Sequence, residues 1–201
     1  MLSLIFKPLN YLKIKWDVQG HFSKKQFDII IPIIVSLIFS VILALVDFFA
    51  YDIAKKVEPN IFKNEFTGLL IGFLQTIPGF YIAGLAAIST LNSETMDRPM
   101  SGIPPTEKVI ETNPYAEKEM PLTRRMFLSR LFSYLSFISL SAFLVAITFK
   151  YFYSLNFITV TPVTYGIVYA VCLFILLFCL CQLILLTALG LYYLGDRIHK
   201  N

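Results

Sequence analysis

Residues 29–49 read IIIPIIVSLIFSVILALVDFF. Apart from one acid near its far end this run is uncharged, and with Phe27 and Asp28 before it the apolar stretch covers 27–49. At 1.5 Å per residue such a helix covers roughly 30 Å, the thickness of a bilayer's hydrocarbon. Pro32 falls in the first turns, where a missing backbone donor costs little. Asp47 is the one acid late in the run. An acid at membrane depth is a functional candidate, but this one is near enough to the boundary to reach water, and a boundary role is expected over an ion or proton site.

Working outward, three further apolar segments of spanning length follow at 66–91, 127–149 and 165–194. The chain is 57% hydrophobic, above the 45–50% usual for soluble domains. With 19 Phe and 11 Tyr it has rings to pack in lipid and to anchor at the interfaces. The expected fold is all-α: a polytopic membrane protein with four transmembrane helices. Along the chain it divides into an amphipathic arm (1–28), a first helix pair (27–91), a Pro-rich connector (92–125), a second helix pair (126–194) and a tail (195–201).

The second span is the irregular one. Gly68 with Gly72, and Ala83 with Ala87, form small-residue faces that let backbones approach closely. Between them Gln75-Thr76-Ile77-Pro78-Gly79 predicts a kink or break around Pro78 and Gly79. Freed carbonyls there need protein or water as partners, so the segment is expected to be buried or to line a cavity. In the third span Ser129, Ser133 and Ser136 recur at helical intervals, a stripe suited to close packing and interhelical hydrogen bonds. Tyr151, Phe152, Tyr153 and Phe157 read as an aromatic belt. Cys172, Cys179 and Cys181 all lie in the fourth span, where they act as small apolar residues.

The arm lacks a secretory signal's layout, since its apolar run starts late and is too long. Leu2, Ile5, Phe6, Leu9, Leu12 and Trp16 follow roughly helical spacing among Lys7, Lys13, Lys15, Lys24 and Lys25, with Pro8 interrupting. That pattern suits a segment lying on anionic lipid. Four spans put both termini on one side. The arm, connector, start of span three and tail carry thirteen Lys/Arg against four on the other side. The positive-inside bias therefore puts both termini and the connector of this multi-pass chain in the cytoplasm.

The connector holds five of the ten prolines. They favour extended geometry and reduce the entropy lost on docking. Met96, Met100, Ile103, Val109, Ile110, Tyr115 and Met120 are spaced along it as apolar anchors. A docking segment for a cytosolic protein fits this composition, with Asp97, Arg98, Met100, Ile103, Val109, Tyr115, Met120, Arg124 and Arg125 as the partner-binding residues. A plain flexible linker is the bland reading. Its mixed charge disfavours direct nucleic-acid binding.

Catalytic motifs are absent from the sequence. His21 and His199 sit near the chain ends without metal-ligand spacing to Cys, Asp or Glu, and no nucleophile elbow, phosphate-binding glycine loop or HExxH occurs. No catalytic, cofactor or metal site is expected, and the chain reads as a non-enzyme. Homo-oligomers joined through the small-residue faces and contacts with membrane lipid are expected. A pore- or channel-forming effector, with Gln75–Gly79 and the serine stripe around a hydrated path, is the alternative, followed by a small transporter. A membrane enzyme built on Asp47, Glu94, Asp97 and Arg98 is a remoter one.

The whole-chain plan, the connector SETMDRPMSGIPP and the tail LYYLGDRIHK together resemble a family: small four-span bacterial proteins encoded beside a cytosolic effector, in particular the membrane subunits of Kiwa antiphage defence systems. The resemblance implies an oligomeric membrane sensor that detects envelope perturbation or phage attachment and recruits a cytosolic, DNA-binding effector. It carries over no catalytic residue.

Overall fold

The computed structural model describes residues 2–16, 23–54, 60–99, 103–112, 115–155 and 162–194. Four long helices dominate it: α1 (Ile31–Ala54), α2 (Glu65–Thr90), α3 (Arg124–Ser154) and α4 (Pro162–Tyr192). All four are long and apolar enough to cross a membrane. A π-helical turn at Gln26–Ile30 leads into α1, so the winding changes just before Pro32, whose ring carries no N–H. Both serine hydroxyls of α1 bond its own carbonyls: Ser36 donates to Pro32 and Ser40 to Leu37.

The connector departs from the all-α expectation. Strands β1 (Thr106–Thr112) and β2 (Tyr115–Pro121) pair antiparallel, with Thr106 opposite Pro121 and Thr112 opposite Tyr115. The pairing continues beyond the strands. Leu122 N–H donates to Pro105 C=O, Pro99 bridges Thr123, and Arg124 N–H donates to Arg98 C=O. The two limbs of the connector are thus zipped together rather than looped freely.

The chain condenses into two compact units. One comprises Met1–Ile30, Gly79–Phe137 and Ile184–Asn201; the other comprises Ile31–Pro78 and Ile138–Leu183. In the first, the arm is not a loose segment on a surface. Lys7–Lys13 forms a 3-10 helix with Pro8 at its start, and Tyr11 is fully buried. Its ring stacks on Tyr134 at 5.2 Å. Trp16 meets Phe127 and Tyr193 at 5.7 and 5.5 Å. In the second unit the core closes around Phe62, whose ring stacks on Tyr153 at 5.1 Å and meets Phe149 and Tyr169 edge-on. Tyr153, expected in an aromatic belt, is therefore core, whereas Tyr151 and Phe152 are exposed. Phe157 lies outside the described residues.

The expected helix-packing residues distribute differently. α2 runs unbroken through Pro78 and Gly79, because a long helix in apolar surroundings keeps its winding despite losing one donor. Gln75, Thr76 and Gly79 are exposed rather than buried, and Pro78 is half-buried. A Cβ at Gly72 or Gly79 would meet nothing within 4 Å, and one at Gly68 would reach only Lys150 Nζ at 3.4 Å. Ala83 and Ala87 are exposed. Close approach occurs instead at Gly84, where a Cβ would lie 2.7 Å from the Phe132 ring, and at Gly190, 3.4 Å from Leu131. Ser129, Ser133 and Ser136 are half-buried. The fully covered small residues of α3 are Ser139, Ala142 and Ala146.

This contrast sets a test. Gly84→Ala should lower stability by about 1–3 kcal/mol, the usual effect of overpacking. Gly72→Ala should be neutral or slightly stabilising, since it only removes backbone entropy. Thermal unfolding in detergent measures both, and equal midpoints for the two variants would rule out the Phe132 contact as a packing constraint.

Candidate interaction face

The polar connector is built up from three ties. The first is Arg125, in the first turn of α3. Its Nε and Nη2 form a fork on the Asp97 carboxylate at 2.7 and 3.1 Å, and its Nη1 donates to the Ile88 carbonyl at 2.9 Å. It therefore satisfies an unpaired carbonyl at the C-terminal end of α2 while holding the short helix Glu94–Asp97. The fork keeps the Asp97 carboxyl below the usual carboxylate range. Asp97 and Arg125, expected to meet a partner, are thus committed to each other.

The second tie is the arm. Lys15 and Thr106 exchange backbone hydrogen bonds, each at 2.9 Å, so one residue of the arm extends the hairpin beside β1. Lys15 Nζ also reaches Glu119 at 3.0 Å, an exposed pair of small energetic weight. Trp16 Nε1–H donates to the Ile103 carbonyl at 3.1 Å. From α3, Arg130 pairs with Glu107 of β1 at 3.3 Å. Met96 and Leu122, each about 1% exposed, close the core beneath. Met96 is therefore core and not a docking anchor.

The third tie joins the arm to the turn before α1. Lys24 donates to Asp28 and to the Tyr11 carbonyl, and its ammonium lies 3.9 Å from the Tyr11 ring centre. Both side chains are sealed, at 6% and 1% exposure. Burial lowers the Lys24 pKa, and Asp28 opposes that shift. Burial, then the neighbouring Asp28, pushes the Tyr11 hydroxyl well above its ordinary value. Nothing in the sequence marked this cluster beyond Lys24 and Asp28 standing four apart, the spacing of one helical face.

What remains outward is narrower than expected. Ile103 is 50% and Met120 45% exposed. Arg98 is exposed and pairs with Glu94, and Arg124 is half-buried. Val109 and Tyr115 stand on β1 and β2. Met100 lies outside the described residues, as do the tail and both histidines.

In the second unit Asp47 has a definite partner. Tyr169 donates its hydroxyl hydrogen to Asp47 and accepts from Ile61 N–H at 3.1 Å. Asn60 bonds the Tyr165 hydroxyl at 2.6 Å and accepts from Phe62 N–H at 2.8 Å. This acid holds the turn bearing Phe62, so its geometry is that of a structural ligand to a tyrosine. Among the described residues no group of three or more His, Cys, Asp or Glu side chains is placed to share a metal ion.

Comparison with protein-family models, with curated proteins and with solved structures finds no match for this chain.

Proposed function

We propose that this chain is a non-enzymatic, multi-pass protein of the bacterial inner membrane that senses envelope perturbation or phage attachment for an antiphage system and recruits a cytosolic effector. The observation that carries the docking half is the hairpin. It is an ordered platform, tied by Lys15 and Trp16 on one side and by Arg125 at its root, and it presents Ile103 and Met120 to solvent. Large exposed apolar side chains on a polar, pre-organised surface suit protein recognition at low ordering cost. The thirteen-to-four bias in Lys/Arg supports a cytoplasmic hairpin. The resemblance to Kiwa membrane subunits supplies the antiphage setting.

Self-association belongs to the same reading. Gly72, Thr76, Gly79 and Ala83 of α2 follow one helical face and are all exposed, with Gln75 beside them. A polar amide and small residues facing hydrocarbon favour a second copy as neighbour. Lipid covers the remaining apolar surface. Acids interspersed with the lysines, Glu107 beside Lys108 and Glu117 and Glu119 beside Lys118, leave the hairpin without the basic stripe that nucleic acid requires.

Ile103→Glu combined with Met120→Glu should leave membrane insertion intact. It should cut co-purification of the soluble protein encoded beside this chain by roughly tenfold or more, the scale of losing two interface anchors. An unchanged pull-down would sink the hairpin as the docking face.

A further inference from the structure

Four ring contacts fix how the arm runs along α3. Trp16 is against Phe127, Tyr11 is against both Phe127 and Tyr134, and Phe6 is against Phe137 at 6.1 Å. The arm is therefore antiparallel to the start of α3, with its N-terminal end farthest along the helix. From Phe127 to Phe137 is ten residues, about 15 Å of helix. The last charged residue of α3 before Lys150 is Arg130, which pairs with Glu107 of the hairpin. Phe137 lies seven residues beyond it, about 10 Å into the apolar part of the helix.

At that depth the arm shows Leu4, Ile5 and Phe6, at 57%, 59% and 50% exposure. Three consecutive large apolar side chains would be costly in water, and they adjoin the surface of a membrane-spanning helix. Lys7 and Lys13, both exposed, follow on the side nearer the hairpin. Lysines in that position can extend their stems along apolar surface and reach phosphate with their ammonium groups.

We propose that Leu4, Ile5 and Phe6 sit among the acyl chains of the leaflet on the hairpin's side, so that the arm joins lipid directly to the hairpin. Its inner end is in hydrocarbon, and its outer end, Lys15, is hydrogen-bonded to Thr106. This rests on the reading of the four long helices as membrane spans, and it gives the proposed sensing a physical input: lateral packing of one leaflet.

Trp16 is the chain's one tryptophan, so a single indole can be moved. The full chain carrying Trp16→Phe with Phe6→Trp is reconstituted into phosphatidylethanolamine–phosphatidylglycerol vesicles whose acyl chains are brominated. Trp16→Phe with Phe80→Trp, on an exposed position of α2, serves as the span reference. A parallel measurement retains Trp16 and reads each new indole by difference, which guards against harm from Trp16→Phe. The Phe6→Trp indole should lose emission to bromolipid as strongly as the Phe80→Trp indole and resist aqueous acrylamide. If Phe80→Trp is quenched while Phe6→Trp responds to acrylamide alone, or to neither agent, the tip lies in water or under protein and the proposal is overturned. If Phe80→Trp also escapes bromolipid, the membrane reading fails and takes the proposal with it.

Discussion

Asp28→Ala is expected to lower the unfolding free energy by about 3–5 kcal/mol, because it strands a buried charge. Lys24 would keep only the Tyr11 carbonyl at 3.0 Å and the face of the Tyr11 ring. Its remaining escape is to release its proton. Asp28 is what opposes the burial-driven fall of the Lys24 pKa, so removing it drives that pKa lower still. A lysine whose folded pKa is depressed binds more protons when unfolded. Between the folded value and the ordinary value near 10.5, stability then rises with pH. The deficit of Asp28→Ala should accordingly be larger at pH 6 than at pH 9. Trp16 emission during thermal unfolding in detergent reads both. Lys24→Met with Asp28→Leu should recover most of the loss, since replacing a buried pair by apolar groups is often neutral. A pH-independent, unchanged midpoint for Asp28→Ala would show the pair to be solvated.

Phe62→Ala should cost a similar amount, about 3–5 kcal/mol, by emptying a closed site. The ring is fully buried and packs on three others. Edge-to-face and stacked pairs add about 0.5–1.5 kcal/mol each beyond their buried area. The surroundings are ill-placed to collapse, since Tyr169 is held from both sides by Asp47 and Ile61. Phe62→Leu should restore a large part of the stability by refilling the volume. A circular-dichroism melt checks both variants, and a midpoint for Phe62→Ala equal to that of the parent chain would contradict the caged placement.

Much of the helical framework was legible from hydropathy alone. Spans read at 27–49, 66–91, 127–149 and 165–194 meet helices beginning and ending within a few residues, because a long apolar run in a chain of this composition has few other ways to satisfy its backbone. The hairpin was harder to see. Proline content suggested extension, and Asn113-Pro114 is a turn signal, but the flanking segments TEKVIET and YAEKEMP lack the apolar–polar alternation of a half-buried strand.

Residue-level packing was the least legible part. Gly68 and Gly72 have the right spacing, yet Gly84 and Gly190 receive the neighbouring side chains. Spacing says which residues share a face and not what stands opposite. Tyr153 likewise reads as an interfacial aromatic, and it is buried because a distant segment supplies its stacking partner, Phe62. Of the nine residues named for docking, Asp97 and Arg125 are spent on each other, a pairing across 28 positions that local pattern cannot reveal.

The arm's seat has a consequence in time. Trp16 packs on Tyr193, a residue made 177 positions later. At roughly 5–20 residues per second of synthesis, the arm is complete about nine to thirty-five seconds before Tyr193 exists. Until Phe127 and Tyr134 are made the rings of Tyr11 and Trp16 lack their α3 seat, and Trp16 waits longer still for Tyr193. An early-made segment is thus among the last to settle.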